Sequence, residues 1–314
     1  MEELGKDILF SDEIQENLPI FLKKWWLDVV ASNRWHYIAS RKNNLIVIWP
    51  ILHEKKFFLK ISRMPPFTQY LGPYILKDKN MSISISEEIE IYESLLKKIS
   101  IYNVFKQRLN LGVKNLLPFI WQKFNTSVRY TYRIDTSQKM LGNIFKNMSA
   151  TRRRKIKKGS EVLVAEKGTV NEKFLQLIMR TFIRKHENIP DSIDLLTDIY
   201  KQSMKNDSGV IINAKKQNSD EIWGTAFFVQ DKFALYYLIG AYDDKVDKEG
   251  LTSSFLIWEG IKLAKEKGLV FDFEGSVLKG VEYFFRSFGG ELNPYYEVSR
   301  IKPSVLNFIY RRLK

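Results

Sequence analysis

Phe271-Asp272-Phe273-Glu274-Gly275-Ser276 is the stretch whose reading decides the fold. An apolar strand ends there in two carboxylates and a glycine. Gly280-Val281-Glu282-Tyr283-Phe284-Phe285-Arg286-Ser287-Phe288-Gly289-Gly290 follows, a short aromatic helix with one arginine, stopped by a glycine pair. A buried strand that ends in charge delivers that charge to a cleft, because a lone buried carboxylate is costly. Upstream, residues 252–267 read as a helix closed by Gly268. Before it, residues 210–213, 222–229 and 233–239 read as strands, the last two joined at Gln230-Asp231-Lys232. The order is therefore three antiparallel strands, a helix, a strand over 269–273, a helix over 277–288 and a last strand over 295–299.

Farther upstream, residues 130–135 and 162–165 read as strands. Residues 137–147, 149–158, 171–186 and 191–205 read as helices. The first part of the chain reads as a helix over 12–31, with Leu18, Phe21, Leu22, Trp25, Trp26 and Val29 at helical spacing. Strands over 35–39, 45–51 and 57–61 follow, with turns expected at Asn43-Asn44 and Glu54-Lys55-Lys56, and then a helix over 87–99.

The strand–helix order is that of a GNAT acyltransferase domain, and the 271–290 block resembles the C-terminal part of the Fem family, the FemABX-like acyltransferases built from two GNAT-type domains. Those proteins often carry an aromatic-Asp-aromatic-x-Gly strand end and then a Phe-Lys-x-x-Phe-Gly helix; Arg286 stands where lysine is usual. Tyr130-Thr131-Tyr132-Arg133-Ile134-Asp135, with the basic run Arg152-Arg153-Arg154-Lys155-Ile156-Lys157-Lys158, is similar to the family's strand and basic helix. The loop from Arg63 to Pro73 resembles its Gly-Pro loop. The resemblance implies an α/β (α+β) fold of tandem GNAT-type domains, with mixed, largely antiparallel, splayed sheets flanked by helices. The expected division is an acceptor-side domain over 1–127 and a donor and catalytic domain over 128–314.

Composition bounds the chemistry. Among 314 residues there is no cysteine, which removes disulfides, thiolate nucleophiles and cysteine-bound metal. His36, His53 and His186 have no metal-ligand spacing, so no metal site is expected. No Gly-x-Ser-x-Gly elbow and no phosphate-binding Gly-x-x-x-x-Gly-Lys-Ser/Thr loop occurs. The net charge of +14 is concentrated: between Ser94 and Ser160 sixteen Lys and Arg face one acid, Asp135. A polyanion such as RNA, a nucleotide-linked substrate or an anionic lipid head group is the natural partner, and a merely solvated basic surface is the plain alternative. The acidic start of the chain and the shortness of its apolar runs lead to the expectation of a cytoplasmic protein without a transmembrane segment, with room for peripheral contact at a membrane.

Candidate sites follow from placement. In a GNAT fold the acyl donor lies in the split between the third strand and the strand after the long helix, and the loop before that helix offers N–H groups to phosphate. Here the loop carries Asp243, Asp244, Asp247 and Glu249 and a single glycine, Gly250, which disfavours a pyrophosphate by repulsion. Gly250, Thr252, Ser253 and Phe285 are the donor-binding candidates, and Thr252 or Ser253 is equally an ordinary N-cap. Alternation puts Tyr236 and Tyr237 on opposite faces, so one faces the cleft; Tyr237 either orients a carbonyl or is packed in the core. Asp272 and Glu274 share a side if the strand stays extended, and they hold the attacking amine or take its proton, or Glu274 instead binds a backbone amide or Arg286. By the resemblance, Arg286 stabilises charge at the acyl carbon, but it cannot shuttle a proton as lysine can.

Arg63, Thr68, Gln69 and Tyr70 are the acceptor-binding candidates. Arg152, Arg153, Arg154 and Lys155 are the polyanion-binding ones. The reaction expected is transfer of an acyl or aminoacyl group to an amine of a peptidoglycan or surface-glycan precursor. The donor is an aminoacyl-tRNA or an acyl-CoA, with no tightly bound cofactor. The alternatives are acyl-CoA-dependent N-acetylation of an amino sugar and a non-catalytic RNA-binding module.

Overall fold

The structure, a computed structural model, describes residues 2–42, 44–77, 81–184, 193–275 and 277–303. The chain separates into two units: one holds residues 1–129 together with the segment from Pro294, the other Tyr130–Asn293. The final strand thus groups with the first unit, although sequence reading assigns it to the second.

The first unit carries strands β1 (Glu2–Glu3), β2 (Trp35–Lys42), β3 (Leu45–Leu52), β4 (Glu54–Lys56), β5 (Leu59–Ser62), β6 (Tyr74–Leu76) and β7 (Val104–Arg108). Its helices are α1 (Lys6–Leu9), α2 (Asp12–Glu16), α3 (Lys24–Val30), α4 (Ile85–Lys98) and α5 (Leu117–Trp121). β1, β2, β3 and β6 form one antiparallel sheet. β4 and β5 pair in a hairpin, and β5 runs parallel to β7. The expected helix over 12–31 is broken: a short 3-10 turn at Ile20–Leu22, begun by Pro19, separates α2 from α3. Proline lacks the N–H a continuous helix needs there. Trp26 is fully buried, as core-facing spacing requires. α4 begins with a capping box between Ser84 and Glu87, which fixes its start two residues before the expected position. The turn expected at Glu54-Lys55-Lys56 lies instead at Phe57-Phe58, because residues 54–56 are themselves a strand. Of the turn expected at Asn43-Asn44, Asn43 lies outside the described residues.

The second unit runs β8 (Asn125–Asp135), α6 (Leu141–Asn147), α7 (Ala150–Val162), β9 (Leu163–Lys167), α8 (Glu172–Arg184), α9 (Leu195–Lys205), β10 (Gly209–Lys216), β11 (Ile222–Gln230), β12 (Ala234–Tyr242), α10 (Leu251–Glu266), β13 (Val270–Asp272) and α11 (Lys279–Arg286). β8 begins in the first unit; β14 (Glu291–Ile301) is the last strand among the described residues. His186, Asp191 and Ser192, expected in helices, lie outside the described residues. β9, β10, β11 and β12 are an antiparallel meander; β12 then pairs parallel with β13, and β13 antiparallel with β8. Largely antiparallel strands with one parallel join, flanked by helices, match the expected fold class.

The core of this unit is Phe228, Leu235, Phe255, Ile257, Ile261, Phe271, Phe273 and Phe288. α10 reaches the sheet at Gly260, where a Cβ would stand 2.5 Å from the Phe228 ring. A larger residue there would push the helix off the sheet.

Candidate active site

β12 and β13 pair only at Ala234–Val270, Leu235–Phe271 and Tyr236–Asp272, and then part. Two features make them part. β12 carries a bulge, since Tyr237 faces Phe228 and Ile239 faces Phe227, leaving Leu238 unpaired on the partner strand. β13 stops at Asp272, and Glu274 and Gly275 then take left-handed backbone, with φ of +58° and +70°. Gly275 is required: a Cβ there would lie 2.0 Å from the carbonyl oxygen of Tyr130.

A cavity of about 690 Å³ lies in this unit. β12 supplies Tyr237, Ile239, Gly240 and Tyr242; α10 and the residue before it supply Ser253 and Gly250. α7 supplies Arg152 and Lys155, α8 Thr181 and Arg184, and α11 with its approach Leu278, Gly280, Val281, Phe284 and Phe285. Three of the lining residues are cationic and none is acidic.

Arg152 is the most informative of them. It is 6% exposed. Its Nε donates to Ser287 Oγ at 2.9 Å, and an Nη donates to Ser254 Oγ. Its guanidinium lies 4.2 Å from the Phe284 ring centre and 4.7 Å from that of Phe288. Burial pushes its pKa down to about 10, which still leaves it charged at neutral pH. Among the described residues no carboxylate forms an ion pair with it. A buried cation without a counter-charge is costly unless a ligand supplies one.

Tyr237 is held by Phe228 and Phe285, whose ring centres lie 5.7 and 6.1 Å away. Its hydroxyl makes no hydrogen bond to a described residue. Gly240 makes room for it: a Cβ there would stand 2.2 Å from the hydroxyl oxygen. Burial raises the phenol pKa well above the ordinary 10.0, so it stays a hydrogen-bond donor. Tyr236 points away, buried, with its hydroxyl 3.1 Å from Asp231 Oδ2.

The helix start that would hold phosphate is already filled. Asp247, 3% exposed, accepts the N–H of Leu251 at 3.0 Å and of Thr252 at 2.7 Å. Arg180 pairs with Asp243, Arg184 with Asp244 and Lys158 with Glu249. The acids of this loop therefore bind the protein itself. Of the donor-binding candidates, Gly250, Ser253 and Phe285 line the cavity, while Thr252 is fully buried beneath it. A pyrophosphate such as that of coenzyme A does not fit amides that a carboxylate occupies.

The basic run is divided rather than displayed as one face. Arg152 is buried; Arg153 donates to the carbonyls of Lys146 and Met148 and so closes α6. Arg154 is exposed, and Lys155 lines the cavity while donating to the Glu249 carbonyl at 2.6 Å. Six charges on a short helix cannot share one side, and here their neighbours sort them.

The strand-end acids also differ from expectation. Asp272 is fully buried; its Oδ1 accepts from Thr131 at 2.6 Å and from the Glu274 N–H at 2.8 Å, and its Oδ2 lies 3.1 Å from Arg133 Nε. Asp272 thus fastens β13 to β8. Glu274 leaves the extended path, so the two acids do not sit as alternate residues of one strand. Arg286, read from the sequence as the group that stabilises charge at the acyl carbon, pairs instead with Glu282 at 3.1 Å, remains 59% exposed and is absent from the cavity lining. Glu282 also accepts from Tyr132 at 2.7 Å.

In the first unit, Arg63 is exposed and forms a two-point pair with Glu54. Thr68 is buried, accepts from Trp26 Nε1 at 3.0 Å, and its carbonyl accepts from Arg108 at 2.6 Å. Gln69 and Tyr70 are buried, Tyr70 edge-on to Phe21. These contacts fix the loop. Among the described residues no group of acids and histidines could hold a metal ion.

No protein-family model matches the sequence, and no curated protein matches it. The solved structures do. The fold is that of FemX. It superposes with a TM-score of 0.72 over 98% of this chain and 99% of FemX, at 14% identity. A C-terminal domain of a putative lysylphosphatidylglycerol synthetase from Agrobacterium fabrum gives a TM-score of 0.56 at 11% identity, covering 97% of this chain and 94% of that one. L-PGS from Bacillus licheniformis gives 0.53 at 13%, covering 99% and 98%. The Fem resemblance read from residues 271–290, 130–135, 152–158 and the loop 63–73 is thus borne out at the level of fold. Arg184 and Gly240 escaped the sequence reading. Gly240, three residues after Tyr237 on one strand, was the available signal for a ring needing room.

Proposed function

We propose that the chain transfers an aminoacyl group from an aminoacyl-tRNA to an amine of a cell-envelope precursor. The observation that carries this reading is buried Arg152 without a carboxylate, set in a cavity beside a helix start already closed by Asp247. The cavity favours an anionic or strongly polar donor end but not a pyrophosphate laid on α10. The likeness to FemX and to two lysylphosphatidylglycerol-synthetase-type structures supports the reading, since the family resemblance implies a tRNA-borne donor.

In this mechanism the acceptor amine attacks the ester carbonyl. The C–N bond forms as the ester C–O bond breaks, and the proton lost by the amine ends on the departing ribose hydroxyl. Tyr237 donates to the carbonyl oxygen as charge grows there. Arg152 holds the donor end, and Arg286, paired with Glu282, is a rim cation. Arg154 and its exposed neighbours steer the polyanion.

The test is transfer of a radiolabelled amino acid from aminoacyl-tRNA pools to nucleotide-linked and lipid-linked muropeptide. Label appearing in the muropeptide with wild type, and lost in Arg152→Met, supports the reading. Label moving only from acyl-CoA, or tight coenzyme A binding, would replace it with N-acetyl transfer. Binding of tRNA with no transfer to any acceptor would leave the RNA-binding module.

A further inference from the structure

We propose that the hairpin tip Phe57-Phe58 is a wedge that docks the first unit on an anionic phospholipid surface. β4 and β5 pair as Glu54–Ile61, Lys55–Lys60 and Lys56–Leu59, which leaves Phe57 and Phe58 as a two-residue turn. Such turns favour Asn-Gly, because the right-handed twist of the strands demands left-handed backbone at the corner. Phe57 sits there with φ of +55°, a conformation bulky residues avoid. The rings gain nothing in return from the fold: they are 84% and 76% exposed, and neither stacks on another ring among the described residues. Local rules broken without internal compensation point to an external partner.

The surroundings name that partner. Lys55, Lys56 and Lys60 flank the apex, all exposed and with no carboxylate paired to them among the described residues. The one acid of the hairpin, Glu54, is neutralised by Arg63 at 3.0 Å. The tip is thus two phenyl rings ringed by three free cations. A convex apex this small falls far short of the roughly 800 Å² per partner of a stable protein interface. A bilayer surface suits it. The rings enter the acyl boundary while the lysine stems lie along them and hold their ammonium groups among anionic head groups. This inference stands apart from the cavity and its donor.

The absence of cysteine allows a clean experiment. Phe58→Cys carries a single environment-sensitive dye, and sedimentation with vesicles of phosphatidylglycerol in phosphatidylcholine is compared with phosphatidylcholine alone. Expected are a blue-shifted dye, at least tenfold stronger partition onto the anionic vesicles, about 1.4 kcal/mol, and loss of that preference in Lys55→Glu/Lys56→Glu/Lys60→Glu. Phe57→Asn/Phe58→Gly supplies the residues the turn prefers. It should melt no lower than wild type and partition at least tenfold more weakly. Unchanged partition of that variant, or sedimentation with an unshifted dye, overturns the proposal. So does a tip variant that loses tRNA binding while keeping vesicle binding, which would make the rings base-stacking groups.

Discussion

Asp247 caps Thr252: the buried carboxylate takes the first-turn N–H at 2.7 Å, where a ligand phosphate would otherwise sit. The same carboxylate takes Leu251 at 3.0 Å. An anion supplied by the chain itself thus satisfies the positive end of α10.

Asp247→Ala should therefore do two things. It removes the carboxylate that accepts the first two N–H groups of α10, at a cost of about 0.5–2 kcal/mol in urea unfolding, the range for a lost capping side chain. It also frees two amides, so that coenzyme A binding, expected to be undetectable for wild type in calorimetry, becomes measurable. Wild-type protein that binds coenzyme A as tightly as the variant would show that the occupied helix start does not govern donor choice.

Tyr237 and Gly240 make a second pair whose geometry is open to test. Gly240→Ala drives a methyl into the phenol oxygen, 2.2 Å away, and displaces the ring. Tyr237→Phe keeps the ring and removes only the donor. Both should lower turnover by about 100-fold, the range for a lost transition-state donor. Full turnover in Tyr237→Phe, with loss in Gly240→Ala, would assign Tyr237 to packing.

The Tyr237 phenol also has a pH signature. Its folded-state pKa is raised by burial above the ordinary 10.0. Above pH 10.0 the unfolded chain releases this proton while the folded chain keeps it, so its contribution to stability falls as pH rises. Unfolding free energies of wild type and Tyr237→Phe should run parallel below that pH and lose that parallelism above it, with wild type falling more steeply. Parallel curves throughout would mean the phenol ionises as readily in the fold as outside it.

Much of the second unit was legible because its signals are local. Alternation separated Tyr236 from Tyr237, and Gly268 marked the end of α10, which runs to Glu266. What the sequence hid was set by neighbours distant along the chain. Asp272 reads as a cleft acid until Thr131 and Arg133 are seen to bind it from β8. Arg152 reads as one of six surface charges until Ser254, Ser287 and two phenylalanines enclose it. The strand that should have carried Glu274 in register ends two residues earlier, because Gly275 must pass against the Tyr130 carbonyl.

In the proposed reaction the charge stabilisation that sequence reading gave to Arg286 passes to Tyr237. Arg286 is exposed and its half-buried partner Glu282 stands four residues before it on the helix, so Arg286→Ala should cost no more than about 0.5 kcal/mol. Its turnover should fall by less than about tenfold, below the loss expected for a donor at the oxyanion. A fall of about 100-fold without melting would return the electrostatic role to Arg286.

Arg152→Met is the sharpest test of the site. Methionine keeps much of the stem volume beside Phe284 and Phe288 and removes a buried charge that no carboxylate balances. The lost hydrogen bonds to Ser254 and Ser287 act against the relief of that charge. The two effects oppose each other, and stability should stay within about 2 kcal/mol of wild type, in either direction. Donor affinity should nevertheless drop at least tenfold, about 1.4 kcal/mol. Arg154→Glu, on the exposed side of the same helix, should instead leave single-turnover transfer intact and change only the salt dependence of tRNA association, lowering its slope by about one unit. If Arg152→Met melts normally and binds donor as wild type does, the buried guanidinium belongs to the packing of α7 against α10 and α11, and the cavity must find its anion-holding group in Lys155 or Arg184.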